Sequence, residues 1–183
     1  MDKNQIAVSI YNKIADIYTK KYFDDRVDIP YIDKFLSYLS IGSRVLEVGC
    51  GPGQFVEYLI EKGYASERID LSEKMIEVAK KRVPQGFARV LKPNGYLLII
   101  AQKGEPDRIV DEPLKIGEKM FINLFTKDRL TKFLTDAGFK IKDIKEAISS
   151  DPNQIGDNVI YTIARKTDKS RKTILTKKRV LIS

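Results

Sequence analysis

Nine residues, VLEVGCGPG at positions 45–53, constrain the architecture of this chain more than any other segment. The apolar run over 44–48 predicts a buried strand. Phe55, Val56, Leu59 and Ile60 then recur at helical spacing as far as Gly63, a residue suited to ending a helix. Between them Gly49, Gly51 and Gly53 stand at G-x-G-x-G spacing. Without side chains the backbone turns sharply and a ligand can lie against it, while the unpaired N–H groups opening the helix offer hydrogen-bond donors. Strand, glycine turn and helix make the first unit of an α/β layered fold.

Glycines alone also serve for tight strand–helix packing, so the flanking carboxylates matter. Glu47 falls at the end of the first strand, where a charge beside a buried sheet is costly unless a cationic or hydroxyl-rich ligand meets it. Asp70 falls near the end of the next expected strand, over 65–71, where an acid can accept hydrogen bonds from both hydroxyls of a ribose. A nicotinamide dinucleotide would need G-x-G-x-x-G and would bring a pyrophosphate that Glu47 repels. The single cysteine, Cys50, has nothing basic near it in sequence to form a thiolate and reads as a small packed residue of the turn.

The remaining elements follow the same alternation. Asn4 is placed to cap a helix with Ile6, Ile10, Ile14 and Ile17 on one face, and a short helix with Ile32, Phe35, Leu36 and Leu39 follows Pro30. Ser72 is placed to cap a helix carrying Met75, Ile76, Ala79 and Val83; a Pro93-Asn94-Gly95 turn leads to a strand over 96–101. Thr126 begins a helix with Leu130, Phe133, Leu134 and Ala137 that Gly138 stops, and strands over 140–146 and 159–166 close the chain. The pattern predicts a mainly parallel sheet in one domain, residues 1–166, with 1–40 as a helical cap.

Charge decides what kind of partner to expect. Between 165 and 183 eight basic residues face only Asp168, which leaves 25 basic and 24 acidic residues in the rest of the 183-residue chain. The body is nearly neutral, at +1, and +7 of the +8 net charge falls within 165–183, most of it in the basic tail, 167–183. Such a tail can hold phosphates, but without interleaved aromatics for base stacking a solvated terminus is the favoured reading, and nucleic acid is not the favoured partner. No apolar run reaches the ~18 residues of a membrane span, and the first residues lack the apolar core of a secretory signal, so a cytoplasmic protein is expected. Histidine is absent, which removes serine–histidine catalysis and histidine-bound zinc; no metal is expected.

Taken together, VLEVGCGPG, IDLSEKMIEVAKKR (69–82), RVLKPNGYLLI (89–99) and FTKDRLTKFLTDAGFKI (125–141) resemble the class I S-adenosylmethionine-dependent methyltransferases, in particular their small-molecule branch. The resemblance implies a Rossmann-like methyltransferase sheet with helices on both faces. It implies S-adenosylmethionine as cofactor, with Glu47, Gly49, Cys50, Gly51 and Gly53 lining it, Asp70 holding the ribose, and Leu71 and Met75 near the adenine. Tyr11, Tyr18 and Tyr22 on the N-terminal helix become candidate lid or substrate-wall residues. No general base stands out.

The chain departs from the family plan at one place. VAKKRVP runs into QGFARVLKP with almost no interval, where a further βαβ unit would take ~30 residues or more, so roughly 40–60 residues are missing between Pro84 and Phe87 and fewer than the usual seven strands are expected. A compact sheet then requires the strand over 96–101 to take a place beside the first strand, with the second strand at an edge that Glu67 and Arg68 protect from foreign pairing. Three functions follow: a methyltransferase acting on a small molecule, a non-catalytic or impaired cofactor-binding remnant, and an RNA methyltransferase using the basic tail. The body lacks the Asn-Pro-Pro-aromatic motif that resembles enzymes methylating exocyclic base nitrogens, which lowers the last.

Overall fold

In the computed structural model, residues 3–82, 94–112, 114, 116–148 and 158–167 are described. The shortened segment around 84–87 and the tail from 168 onward lie outside these residues. Helix α1 spans Lys3–Tyr22, α2 Ile29–Leu36, strand β1 Arg44–Val48, α3 Gln54–Glu61, β2 Ala65–Ile69 and α4 Glu73–Arg82. Then come β3 Tyr96–Gln102, β4 Arg108–Asp111, β5 Lys119–Ile122, α5 Lys127–Asp136, β6 Phe139–Ile148 and β7 Asn158–Lys166.

Helix ends follow the local chemistry with one exception. Thr126 Oγ1 accepts the backbone N–H of Arg129, and Ser72 Oγ accepts that of Met75, so both hydroxyls satisfy first-turn donors. Pro30 sits in the first turn of α2, where its missing N–H costs nothing. Asn4, by contrast, lies inside α1 rather than capping it. The buried stripe of α1 runs through Ala7, Ile10, Ile14 and Ala15, while Ile17 is 53% exposed, so the apolar face turns one residue away from the expected line.

The described strands form three sheets. β1 and β2 pair in parallel, β3-β7-β6 is antiparallel, and β4 pairs antiparallel with β5 as a hairpin. The mainly parallel sheet expected from the sequence is therefore not what forms: β1–β2 is the parallel ladder, and the long pairings are antiparallel. Nor does β3 lie beside β1; it bonds to β7 along its whole length, from Tyr96–Arg165 to Gln102–Val159. The layered part uses β1, β2, β3, β7 and β6, five strands, with the hairpin set apart.

Helices cover both faces of β3-β7-β6. Leu130 and Leu134 of α5 pack on Ile99, Ala101, Ile160 and Ala164; on the other face Ile32, Phe35 and Leu36 of α2 meet Ile163. Leu59 of α3, Val45 of β1 and Leu98 of β3 join that second cluster, so one core binds the two sheets even though no strand bridges them. Helix α1 packs on the hairpin through Ile10 and Ile14 against Met120, Ile122 and Leu124.

β1 is not a buried strand. Val45 and Glu47 face inward with Ser66 and Arg68, but Leu46, Val48 and Ile69 on the opposite face are 36%, 47% and 43% exposed. Arg68 faces Glu47 across the ladder at 5% exposure, which overturns its expected role as an edge guard; Glu67 on the open face pairs with Arg44 at 2.7 Å. Among the described residues, no helix is long and apolar enough to cross a membrane.

Candidate cofactor and acceptor site

The glycine turn is built by backbone that few other residues adopt. Gly49, Gly51 and Gly53 have φ of 76°, 50° and 90°, in the left-handed region where a Cβ is strained. Gly49 and Cys50 donate their N–H groups to Ile69 O at 2.7 and 3.2 Å, which ties the turn to the end of β2. At Gly53 a Cβ would lie 3.3 Å from Ala79 Cβ, so this position also admits α4 against the turn.

Asp70, just past β2, closes the arrangement. Its two carboxylate oxygens accept the N–H groups of Gly51 (2.9 Å) and Ser72 (2.8 Å), fixing the carboxylate at the junction of turn and α4. Ser72 in turn donates to Asn12 Oδ1, which also accepts the N–H of Lys74, so α1 is latched to the start of α4.

Glu47 is a strongly perturbed carboxyl of this site. Burial pushes its carboxyl up to about 8, Asp70 adds to the rise, and Arg68 and a hydrogen bond from the Val56 N–H oppose it. Its Oε2 is buried with no hydrogen-bond partner among the described residues, and so is Oε1 of Gln54, the first residue of α3. Two orphaned acceptors thus flank the glycine turn, each costing about 1–3 kcal/mol while unpaired. Cys50 is 2% exposed and burial pushes its thiol up, away from nucleophilic use.

Tyr18 of α1 is brought to the turn, with Tyr11 and Tyr22 on either side of it. Tyr18 Cε1 lies 3.8 Å from where Gly51 would carry a Cβ; the Tyr11 and Tyr18 rings stand 6.0 Å apart at 80°, and Tyr18 and Tyr22 are 4.6 Å apart. Burial, with Asp70 and Glu112 next, pushes the Tyr11 phenol up to about 12, and Tyr18 is raised by burial and its neighbours as well. Leu71 is 40% exposed beside Asp70, whereas Met75 is 1% exposed and presents almost no surface to a ligand.

Three contributors escaped the sequence reading: Asn12, Arg68 and Glu112. Arg68 looked like an exposed charge in a poor strand, and Asn12 and Glu112 sit in no motif. Only the α1 helical phase, which puts Asn12 beside Tyr11 on the turn side, hints at the first. Among the described residues, no cluster of three or more acidic or cysteine side chains could hold a metal ion.

Residues 45–94 match the sequence profile of the methyltransferase domain family, a stretch that begins with the glycine turn. A 23S rRNA (uracil(747)-C(5))-methyltransferase of Pyrococcus abyssi is 31% identical over 100 residues, 55% of this chain; the chain spans 24% of that relative's length. Among solved structures, a 1,6-didemethyltoxoflavin-N1-methyltransferase of Burkholderia thailandensis, with bound S-adenosylhomocysteine, superposes with a TM-score of 0.65 at 18% identity, covering 90% of this chain and 89% of that one. The N-methyltransferase NodS of Bradyrhizobium japonicum, in complex with S-adenosylhomocysteine, gives 0.59 at 14% identity, over 90% and 99%. A methyltransferase of Methanosarcina mazei gives 0.64 at 18% identity, over 75% and 97%. By its overall fold and by the segment at 45–94, this chain carries the Rossmann-like fold of the class I S-adenosylmethionine-dependent methyltransferases.

Proposed function

We propose that the chain is an S-adenosylmethionine-dependent methyltransferase acting on a small-molecule acceptor. The observation that carries this reading is the pair of orphaned buried acceptors, Glu47 Oε2 and Gln54 Oε1, on either side of a turn whose glycines admit a ligand. A cofactor with an ammonium group and a sulfonium centre brings donors and positive charge to both, whereas a pyrophosphate would meet the Glu47 carboxylate. Asp70 is held, by the N–H groups of Gly51 in the turn and of Ser72 before α4, where a ribose could take up its carboxylate. The cofactor supplies an electrophilic methyl group, so the chain's own residues have only to orient the acceptor and exclude water, work that can lower a barrier by ~7–11 kcal/mol in well-aligned cases.

Support for a small acceptor comes from the aromatic row of Tyr11, Tyr18 and Tyr22, with Tyr18 beside Gly51 of the turn. An RNA acceptor is the second reading, favoured by the identity to the Pyrococcus abyssi rRNA methyltransferase. Incubation with methyl-labelled S-adenosylmethionine and, separately, a pool of small amines, phenols and thiols or a 23S rRNA fragment separates them. Label in the small-molecule fraction supports the proposal; label in RNA alone, lost as salt rises, supports the second; no label in either favours an impaired remnant.

A further inference from the structure

Arg68 is 5% exposed, an unusual place for a guanidinium in a short strand whose other face is open. It is the register partner of Glu47 across the parallel β1–β2 ladder, where neighbouring strands lie ~4.8 Å apart. Both side chains lie on the inward face of the ladder, with Val45 and Ser66. The residue after Arg68, Ile69, accepts the N–H groups of Gly49 and Cys50 on its carbonyl, and the next, Asp70, accepts that of Gly51 on its carboxylate. The end of β2 is thereby fastened to the glycine turn, and one guanidinium and two carboxylates meet there.

A charge withdrawn from water is costly unless an opposite charge lies beside it. Both oxygens of Asp70 accept backbone N–H groups, from Gly51 and Ser72. Glu47 has the Val56 N–H, while its Oε2 is buried with no hydrogen-bond partner among the described residues. Helix α3 otherwise brings only the neutral Gln54 to this place. One guanidinium against two carboxylates leaves a single positive charge to be supplied. A proton on Glu47 can supply it, since burial and then Asp70 push that carboxyl up to about 8, against the pull of Arg68 and of the Val56 N–H.

We infer that Arg68 is a positioning residue of the cofactor site that acts through Glu47, its guanidinium supplying part of the charge that balances this carboxylate and the ammonium of an amino-acid ligand supplying the rest. This rests on the proposed methyltransferase reading. Binding then exchanges a proton for an ammonium group. Below about pH 8 the proton has to leave before the ammonium pairs, so affinity climbs with pH and levels off above that value. Without Arg68 the carboxyl holds its proton more firmly, and the climb moves to higher pH. The chain has no histidine, and burial pushes the Cys50 thiol and the Tyr11 phenol up and away from this interval, so none of these interferes.

Titration calorimetry between pH 6 and pH 8.5 tests this, with S-adenosylhomocysteine and with 5′-methylthioadenosine, the same nucleoside without the amino-acid end. S-adenosylhomocysteine should bind at least about tenfold more tightly at pH 8 than at pH 6, and 5′-methylthioadenosine should change by less than about twofold. Arg68→Met should weaken S-adenosylhomocysteine at least about tenfold at pH 7, by less as pH rises, and leave 5′-methylthioadenosine within about threefold; Arg68→Lys should keep the wild-type profile. If Arg68→Met fails to fold by circular dichroism, Glu47→Gln/Arg68→Met replaces it: with the group Arg68 acts through gone, its affinity should match that of Glu47→Gln within about threefold. A flat wild-type profile, a loss in Arg68→Met that is equal at every pH or shared by 5′-methylthioadenosine, or a double variant weaker than that limit overturns the inference alone. Failure of S-adenosylhomocysteine to bind at any pH overturns the methyltransferase reading and this role with it.

Discussion

Replacing Glu47 with glutamine isolates the cost of burying a carboxyl beside the glycine turn. In the native chain the carboxyl is pushed up to about 8 from an ordinary 4.5, chiefly by burial. Between those values the folded protein keeps a proton that the unfolded chain releases, so stability falls as pH rises from about 4.5 to 8 and is level on either side. The difference of about 3.5 units corresponds to about 5 kcal/mol across that window, at about 1.36 kcal/mol per unit. Glu47→Gln keeps the shape, cannot ionise, and lacks this slope. Urea unfolding followed by circular dichroism at pH 5 and pH 8 reads the difference directly. Wild type should lose at least about 2 kcal/mol more than the variant between the two pH values, and the variant should be the more stable at pH 8. Equal losses would refute the reasoning, because they would mean that the Glu47 carboxylate is solvated or fully compensated by Arg68.

Gly53→Ala combines a φ of 90° with a Cβ 3.3 Å from Ala79; it should cost about 2 kcal/mol and lower the melting temperature by about 4–8 °C in differential scanning fluorimetry. Val48→Thr, on the open face of β1, should change the unfolding free energy by less than about 0.5 kcal/mol, whereas Leu134→Ala in the α5 core should cost about 2–5 kcal/mol. Asn12→Ala removes the acceptor that joins α1 to α4, so hydrogen exchange should quicken at Lys74 and stability should drop by about 1 kcal/mol.

Local chemistry was legible in the sequence; pairing was not. Strand β1 ends where the apolar run ends, the three glycines adopt the backbone their spacing implies, and Thr126 caps α5 as a threonine before a helical pattern should. Which strand lies beside which depends on contacts between residues far apart in the chain, and no local pattern encodes that β3 joins β7 rather than β1. The hairpin strands Arg108–Asp111 and Lys119–Ile122 are four residues each, too short for their alternation to stand out from a loop, so Glu112 had no element to belong to. Arg68 reads as surface in any hydropathy pattern; it is buried because Glu47 lies opposite it across the parallel ladder. Leu46 and Val48 fail in the other direction. They look like core, yet no described element covers their face.

The central claim is that the turn at 49–53, with Glu47 and Asp70, binds S-adenosylmethionine. Calorimetric titration of the whole chain with S-adenosylhomocysteine, beside Asp70→Ala, measures this most directly. Stoichiometric micromolar binding that weakens at least tenfold in a folded Asp70→Ala is the predicted result. No binding to the unmutated chain, or equal affinity in the two proteins, would contradict it.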